Sequence, residues 1–293
     1  MIKTVLAHMT GTECDSSVLA LCHALLKPSG GHIECLRILP DPAALIAQAA
    51  TLDMGSSMVL ADTLGAIEEQ ARGRTEAARK TFDEFCKAER VAIAGTPPCE
   101  AVSAAWREVS ANDEIDGLIA HARYYDLVVL AGGHERSGRL PAEALGSIVV
   151  GSGRPVLLAA QKPPSQPIKT IAIAWKDAPE AARAVTAAMP LLESAARVEV
   201  LSANENDKTA GNCLECSESV VRQLRWHDMN AWGHFVIPAG RAVPDAILET
   251  ARGLNADLLA MGGYGHSRMR EFIFGGFTQA VLAGVDIPVL MFH

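Results

Sequence analysis

Short apolar runs alternate along this chain with stretches in which apolar residues recur every three or four positions. The runs predict buried strands, and the spaced stretches predict helices. In the first half, strands are expected at Thr4–His8, His32–Leu39, Val102–Val109, Asp126–Leu130 and Pro155–Ala159. Val18, Leu21 and Leu25 fall on one helix face, and Pro28-Ser29-Gly30-Gly31 stops that helix. Asp41 to Arg90 is a long stretch, and its later part, Ile67–Arg90, reads as a strong helix. Pro97-Pro98 then breaks the chain, and further helices are expected at Glu114–Arg123 and Pro141–Val150. The second half is more compact. Its strands are expected at Thr170–Trp175, Val198–Ser202, Trp232–Ile237, Asp257–Met261 and Ile287–Phe292. Its helices are expected at Pro179–Leu192, Glu215–His227 and Pro244–Gly253, with one more opening near Val281-Leu282 and closed by Gly284. Continuous apolar strands separated by helices imply an α/β fold with a parallel sheet covered on both faces. Right-handed crossovers make it doubly wound, with any ligand beyond the carboxyl ends of the strands at the switch point.

The two halves repeat one another in order. Ile2-Lys3-Thr4-Val5 returns as Ile168-Lys169-Thr170-Ile171, and Asp126-Leu127-Val128-Val129-Leu130 returns as Asp257-Leu258-Leu259-Ala260-Met261. Pro155-Val156-Leu157 returns as Pro288-Val289-Leu290, and Ala105-Trp106 as Ala231-Trp232. The last match places both tryptophans at equivalent packing positions of a third strand. A repeat this long is a domain, not a solenoid unit. The expected domains are 1–160 and 167–293, joined by the polar, proline-bearing Gln161–Gln166.

Composition narrows the class. The chain has 293 residues, 49% of them hydrophobic, which supports sizeable cores and argues against disorder. A net charge of −8 argues against nucleic acid and anionic membranes as partners. No run reaches transmembrane length and no signal peptide is evident, while the odd count of 7 cysteines fits a reduced, cytoplasmic setting.

Chemistry concentrates near the C-terminus, in Asp257–Thr278. The apolar run ends in Gly262-Gly263-Tyr264-Gly265, and nine residues separate Gly265 from Gly275-Gly276-Phe277-Thr278. Glycines at a strand end and again at a helix start let backbone amides approach an anion. The loop is neither a Walker loop, since no Gly-Lys-Ser/Thr follows, nor the dinucleotide Gly-x-Gly-x-x-Gly.

The spacing Gly262-x2-Gly265-x9-Gly275, followed by Thr278, resembles the ATP-binding signature of the universal stress protein family. Trp175-Lys176-Asp177-Ala178-Pro179-Glu180 after the opening strand supports the likeness, which covers nearly the whole chain as a tandem of two such domains. The resemblance implies a five-stranded parallel sheet per domain, in the order 3-2-1-4-5. It also implies paired final strands that form an internal pseudo-dimer, with a homodimer as a further option. Adenine nucleotide is the implied ligand, ATP with Mg as an accompanying ion. Ala174, Trp175 and Lys176 would wall the adenine and ribose, Ala203 would line the adenine pocket, and Met261 would lie against the nucleoside. Gly262, Tyr264 and Gly265 would offer backbone to ribose and phosphates. Gly275, Gly276 and Phe277 would supply amides, Thr278 a hydroxyl, and Arg268 could reach a phosphate. Two departures stand out: Lys176 takes a place where many ATP-binding members carry Asp, with Asp177 next to it, and Gly276 replaces a usual Ser or Thr.

The first half departs further. Glu135 sits in its loop, and Ala142-Glu143-Ala144 stand where the second glycines should be, so its site reads as degenerate. Gly151-Ser152-Gly153 aligns with Gly284 and reads as a turn. Cys213-x2-Cys216, with His227 and His234 downstream, lacks zinc-finger spacing and reads as reduced thiols at a helix start. His8 ends the first strand and reads as a structural histidine or one facing a vestigial pocket. The implied function is an ATP-binding stress-response regulator with slow hydrolysis at most, because no Walker lysine or evident base is present. A ligand-free interaction module is the alternative. An adenylating enzyme is a weaker one, since its Ser-Gly-Gly-x-Asp-Ser loop is missing after Trp175.

Overall fold

The computed structural model describes residues 1–51, 57–94, 101–132, 141–162, 167–203, 210–263, 280 and 286–293. In the first half these form β1 (Thr4–His8), α1 (Asp15–Leu26), β2 (Gly31–Pro40), α2 (Pro42–Thr51), α3 (Ser57–Glu89) and β3 (Ala92–Ile93). They continue with β4 (Val102–Ala111), α4 (Glu114–Ala122), β5 (Leu127–Ala131), α5 (Ala142–Gly151) and β6 (Val156–Ala159). The second half adds β7 (Thr170–Trp175), α6 (Pro179–Leu192), β8 (Arg197–Ala203) and α7 (Ala210–Arg225). It closes with β9 (Ala231–Val236), α8 (Val243–Gly253), β10 (Leu258–Gly262) and β11 (Val289–Phe292).

The strands make one 11-stranded sheet in the order β3-β4-β2-β1-β5-β6-β11-β10-β7-β8-β9. Counting the main strands of each half in chain order, both halves read 3-2-1-4-5, with β3 added outside β4. Every pairing is parallel except β6 with β11, which joins the halves antiparallel with Leu157 opposite Leu290. The repeated sequence has a repeated cause. Asp126 accepts from the amides of Lys3 and Thr4, and Asp257 accepts from those of Lys169 and Thr170. Each carboxylate thus fixes the entry of the first strand beside the fourth.

The strands are apolar on both sides, as a covered parallel sheet requires. One core lies under α1, α3, α6 and α7 and takes Val5, Ala7, Val129, Leu157 and Leu290. The other lies under α4, α5 and α8 and takes Leu6, Val128, Val156, Val289 and Met291. Among the described residues, no helix is long and apolar enough to cross a membrane.

Several expectations need correcting. The helix expected at Ile67–Arg90 begins at Ser57, and α2 precedes it; both were missed in the long stretch after Asp41. The short β3 was also missed. The two tryptophans are not equivalent. Trp106 pairs with Cys35 and packs on Phe82, whereas Trp232 pairs with Glu199 and is half-exposed. A one-residue shift in register turns them to opposite faces of the sheet. The helix expected from Val281 lies outside the described residues.

Candidate functional site

The strand order reverses between β7 and β10, so the switch point of the second half lies at their carboxyl ends. Register places Met261 beside Ala174, Ala174 beside Leu201, and Trp175 beside Ser202. The sequence-predicted Ala174, Trp175, Ala203, Met261 and Gly262 therefore meet at one end of adjacent strands. Lys176 follows on an exposed turn, and α6 starts at Pro179, a favoured first helical residue. Ala174, Ser202, Ala203 and Gly262 are all small, and Trp175 and Met261 supply the side-chain bulk at these strand ends.

Two features of this end bear on a ligand. Among the described residues the buried Trp175 indole N–H has no acceptor, an arrangement that costs free energy unless something accepts from it. A nucleotide is rich in such acceptors. Gly262 answers to the protein itself: a Cβ there would stand 2.7 Å from the Ala181 amide nitrogen and from the Glu180 carbonyl carbon. Its hydrogen atom lets the first turn of α6 close onto the strand. Gly263 donates to the Phe292 carbonyl at 2.8 Å, and a Cβ on it would come within 3.1 Å of the Met291 methyl carbon. Tyr264, Gly265, Arg268, Gly275, Gly276, Phe277 and Thr278 lie outside the described residues. Among the described residues, no group of three or more His, Cys, Asp or Glu side chains converges to hold a metal ion.

The first half fills the matching place. Register equates His8 with Ala174 and Met9 with Trp175, since His8 pairs with Leu36 where Ala174 pairs with Leu201. His8 is 1% exposed, and its Nε2 lies 3.1 Å from Glu114 Oε1 at the start of α4. Arg37, buried at the end of β2, donates to the Met9 carbonyl at 3.3 Å and to Thr75 Oγ1 at 3.4 Å, and stands 3.9 Å from Glu114. The hydrogen bond from His8 holds the Glu114 carboxyl below its ordinary range against the opposing effect of burial, with Arg37 adding to the depression. Burial pushes the Arg37 guanidinium below its usual value, against the pull of Glu114 and Asp15. Asp15, fully buried, accepts from the Thr10 amide and hydroxyl and from the Gly11 amide. Gly11 has φ 76, and a Cβ there would stand 2.2 Å from the Arg74 carbonyl oxygen. Helix α3 thus presses directly on the loop that follows β1.

Sequence reasoning singled out His8 but missed Arg37, Glu114 and Asp15. A lone arginine inside the apolar run Cys35-Leu36-Arg37-Ile38-Leu39 was the available signal. Gly151-Ser152-Gly153 is a turn: α5 ends at Gly151, and Gly153 has φ 64. Cys213 and Cys216 fall in the first two turns of α7, and their side chains lie outside the described residues. His234 lies on β9 and bonds Glu199 at 2.7 Å. Glu135 lies outside the described residues. Of the stand-ins for the second glycines, α5 begins at Ala142 and carries Glu143 in its first turn.

Residues 236–293 match the model of the Universal stress protein family. No curated protein matches the chain. Among solved structures, a universal stress protein from Archaeoglobus fulgidus DSM 4304 is similar at TM-score 0.66 and 14% identity, over 99% of this chain and 95% of that one. A functionally unknown protein from Pseudomonas aeruginosa PAO1 is similar at TM-score 0.58 and 12% identity, over 99% of this chain and 92% of that one. At such identities the likeness is one of fold.

Proposed function

We propose that this chain, which carries a universal stress protein match at residues 236–293 and shares the fold of a universal stress protein along its length, binds one adenine nucleotide in its second half. The observation that carries this reading is the contrast between the strand ends. Small Ala174 and Ser202 stand at the second switch point where His8 and Arg37, joined by Glu114, stand at the first. The Trp175 N–H, without an acceptor among the described residues, supports an acceptor-rich ligand there. In this reading the domains are 1–160 and 167–293. The ligand is ATP, with Mg carried by the phosphates as is usual for that ion. Ala174, Trp175, Lys176, Ala203 and Met261 hold the nucleoside. The loop from Gly262 to Thr278 holds the phosphates. The protein acts in the cytoplasm as a stress-response regulator whose output is conformational, not catalytic.

Mass spectrometry of small molecules released from the purified, heat-denatured protein tests it. Adenine nucleotide at close to one equivalent per chain is expected. If the protein carries none and calorimetry with millimolar ATP shows no heat, the chain is instead a ligand-free interaction module.

A further inference from the structure

The sheet ends differently at its two outer edges. On the first-half side, β3 pairs with β4, with Ala92 opposite Ser103 and Ile93 opposite Ala104. Trp106 is covered there by Phe82, and Arg79 lies over both rings. On the second-half side β9 is the last strand, and α7 turns through Trp226, His227 and Asp228 straight back into the sheet. The Asn230 carbonyl accepts from Val198, so along the parallel ladder Ala231, Gly233 and Phe235 aim their backbone groups away from β8. Arg225 reaches the Ala231 carbonyl from that outer side, with Nε at 3.0 Å and Nη2 at 2.8 Å. Trp226 is 85% exposed and Trp232 is 49% exposed beside it.

Apart from the Arg225 guanidinium contact, the outer side of β9 has no strand partner among the described residues, and such an edge is a template for another strand; α7 indicates which strand fits. Glu215, Glu218, Arg222 and Arg225 are all exposed and follow one another at helical spacing along one stripe. Val221 touches β9, since a Cβ on Gly233 would lie 3.4 Å from its methyl, and Arg225 bonds Ala231. The stripe therefore borders the outer edge of β9. It is acidic toward the start of α7 and basic toward its end. A copy related by a two-fold axis through Gly233 lays β9 antiparallel to β9. It sets Glu218 against Arg222 of the other copy, and Glu215 against Arg225. Helices lying one strand in from such a seam sit about 10 Å apart, a normal helix-packing distance. The stripe complements itself under this operation, as an isologous interface requires.

We propose that β9 and α7 form a homodimer surface whose occupant is a second copy of this chain. The surface lies on the outer edge of the sheet and does not depend on the nucleotide reading. Sedimentation equilibrium of the full chain at low and high salt, with Arg222→Glu and the double swap Glu218→Arg/Arg222→Glu, tests it. Both sites are exposed, and circular dichroism checks the fold of the variants. The unmodified chain should dimerise, less so at high salt. Arg222→Glu creates two like-charge contacts per dimer and should weaken association about tenfold. The double swap restores opposite charges and should recover it. A chain still monomeric at about 100 µM overturns the proposal. So does a dimer indifferent to Arg222→Glu, or a double swap that fails to recover association.

Discussion

His8 and Ala174 hold the same register position at the end of the first strand of each half, and their surroundings differ in kind. Around His8, side chains from β2, α4 and the β1–α1 loop interlock, and α3 closes over the loop at Gly11. Around Ala174 the neighbours are Leu201 and Met261, with Ser202 and Gly262 a residue further on. The same fold thus supports either a polar plug or a strand end with small residues in the matching positions, and the difference rests on a handful of side chains. The first half also contains a segment with no counterpart in the second, α2 with the extended α3, and α3 supplies the lid over its own strand ends. The polar plug and the covering helix thus occur together in this half.

The sharpest break in that comparison would come from the glycine loop. Gly265→Val should abolish nucleotide binding, because a branched side chain blocks close approach to phosphate and penalises any positive φ. Gly133→Val should leave binding intact. Calorimetry on the unmodified chain should give one site of micromolar affinity, roughly −8 kcal/mol. Two sites per chain would contradict the contrast outright.

Next in size is the strand end itself. Ala131 stands in the first half where Gly262 stands in the second. A methyl at 262 meets backbone atoms of α6 at 2.7 Å, and backbone cannot step aside as a flexible side chain can. Gly262→Ala should cost about 2–3 kcal/mol in denaturant unfolding, in the range of overpacking changes. Ala131→Gly should cost only about 1 kcal/mol. Equal costs would mean that α1 and α6 sit alike on their strands.

The fold was largely legible because its signals are local. β1, β7 and α6 fall at their expected residues, since apolar runs end at polar turns and Pro179 marks a helix start. α2 was not legible: Pro42-Ala43-Ala44-Leu45-Ile46-Ala47 has no polar face to reveal its period. The tryptophan match failed because a shared dipeptide carries no information on which face a strand presents. The plug around His8 was not legible for another reason. Its members come from β1, β2 and α4, and only the tertiary fold brings them together. On the other side, the small residues at the second strand end gave only a weak signal without the register that aligns them.

A smaller effect is expected at Asp15, whose counterpart in α6 is Ala181. Asp15→Ala leaves the Thr10 and Gly11 amides and the Thr10 hydroxyl without their acceptor in a buried loop. The cost should be about 2 kcal/mol, the range for a lost buried cap. A change within error would show that water replaces the carboxylate and that the loop is not sealed.

The smallest effect is a pH dependence, and it follows from Glu114. The hydrogen bond from His8 and the nearby Arg37 charge hold this carboxyl below its ordinary value of 4.5 in the folded chain, despite the opposing effect of burial. A depressed carboxyl binds its proton more weakly in the folded state than in the unfolded one. Its contribution to stability is therefore complete above the ordinary value and fades as pH falls through the folded one. Glu114→Gln keeps an acceptor for His8 but removes the charge. Because the Glu114 side chain is 46% exposed, solvent screening limits the effect, and the variant should be less stable by only about 0.5 kcal/mol at pH 7. Paired urea melts should show that gap closing as the pH is lowered from neutral to below the ordinary carboxylate range. Glu34 and Asp126, also held below their ordinary values, destabilise both proteins alike over the same interval and drop out of the difference. A gap that stays constant with pH would mean that Glu114 contributes through packing, and that the charge in the first-half plug is incidental to its stability.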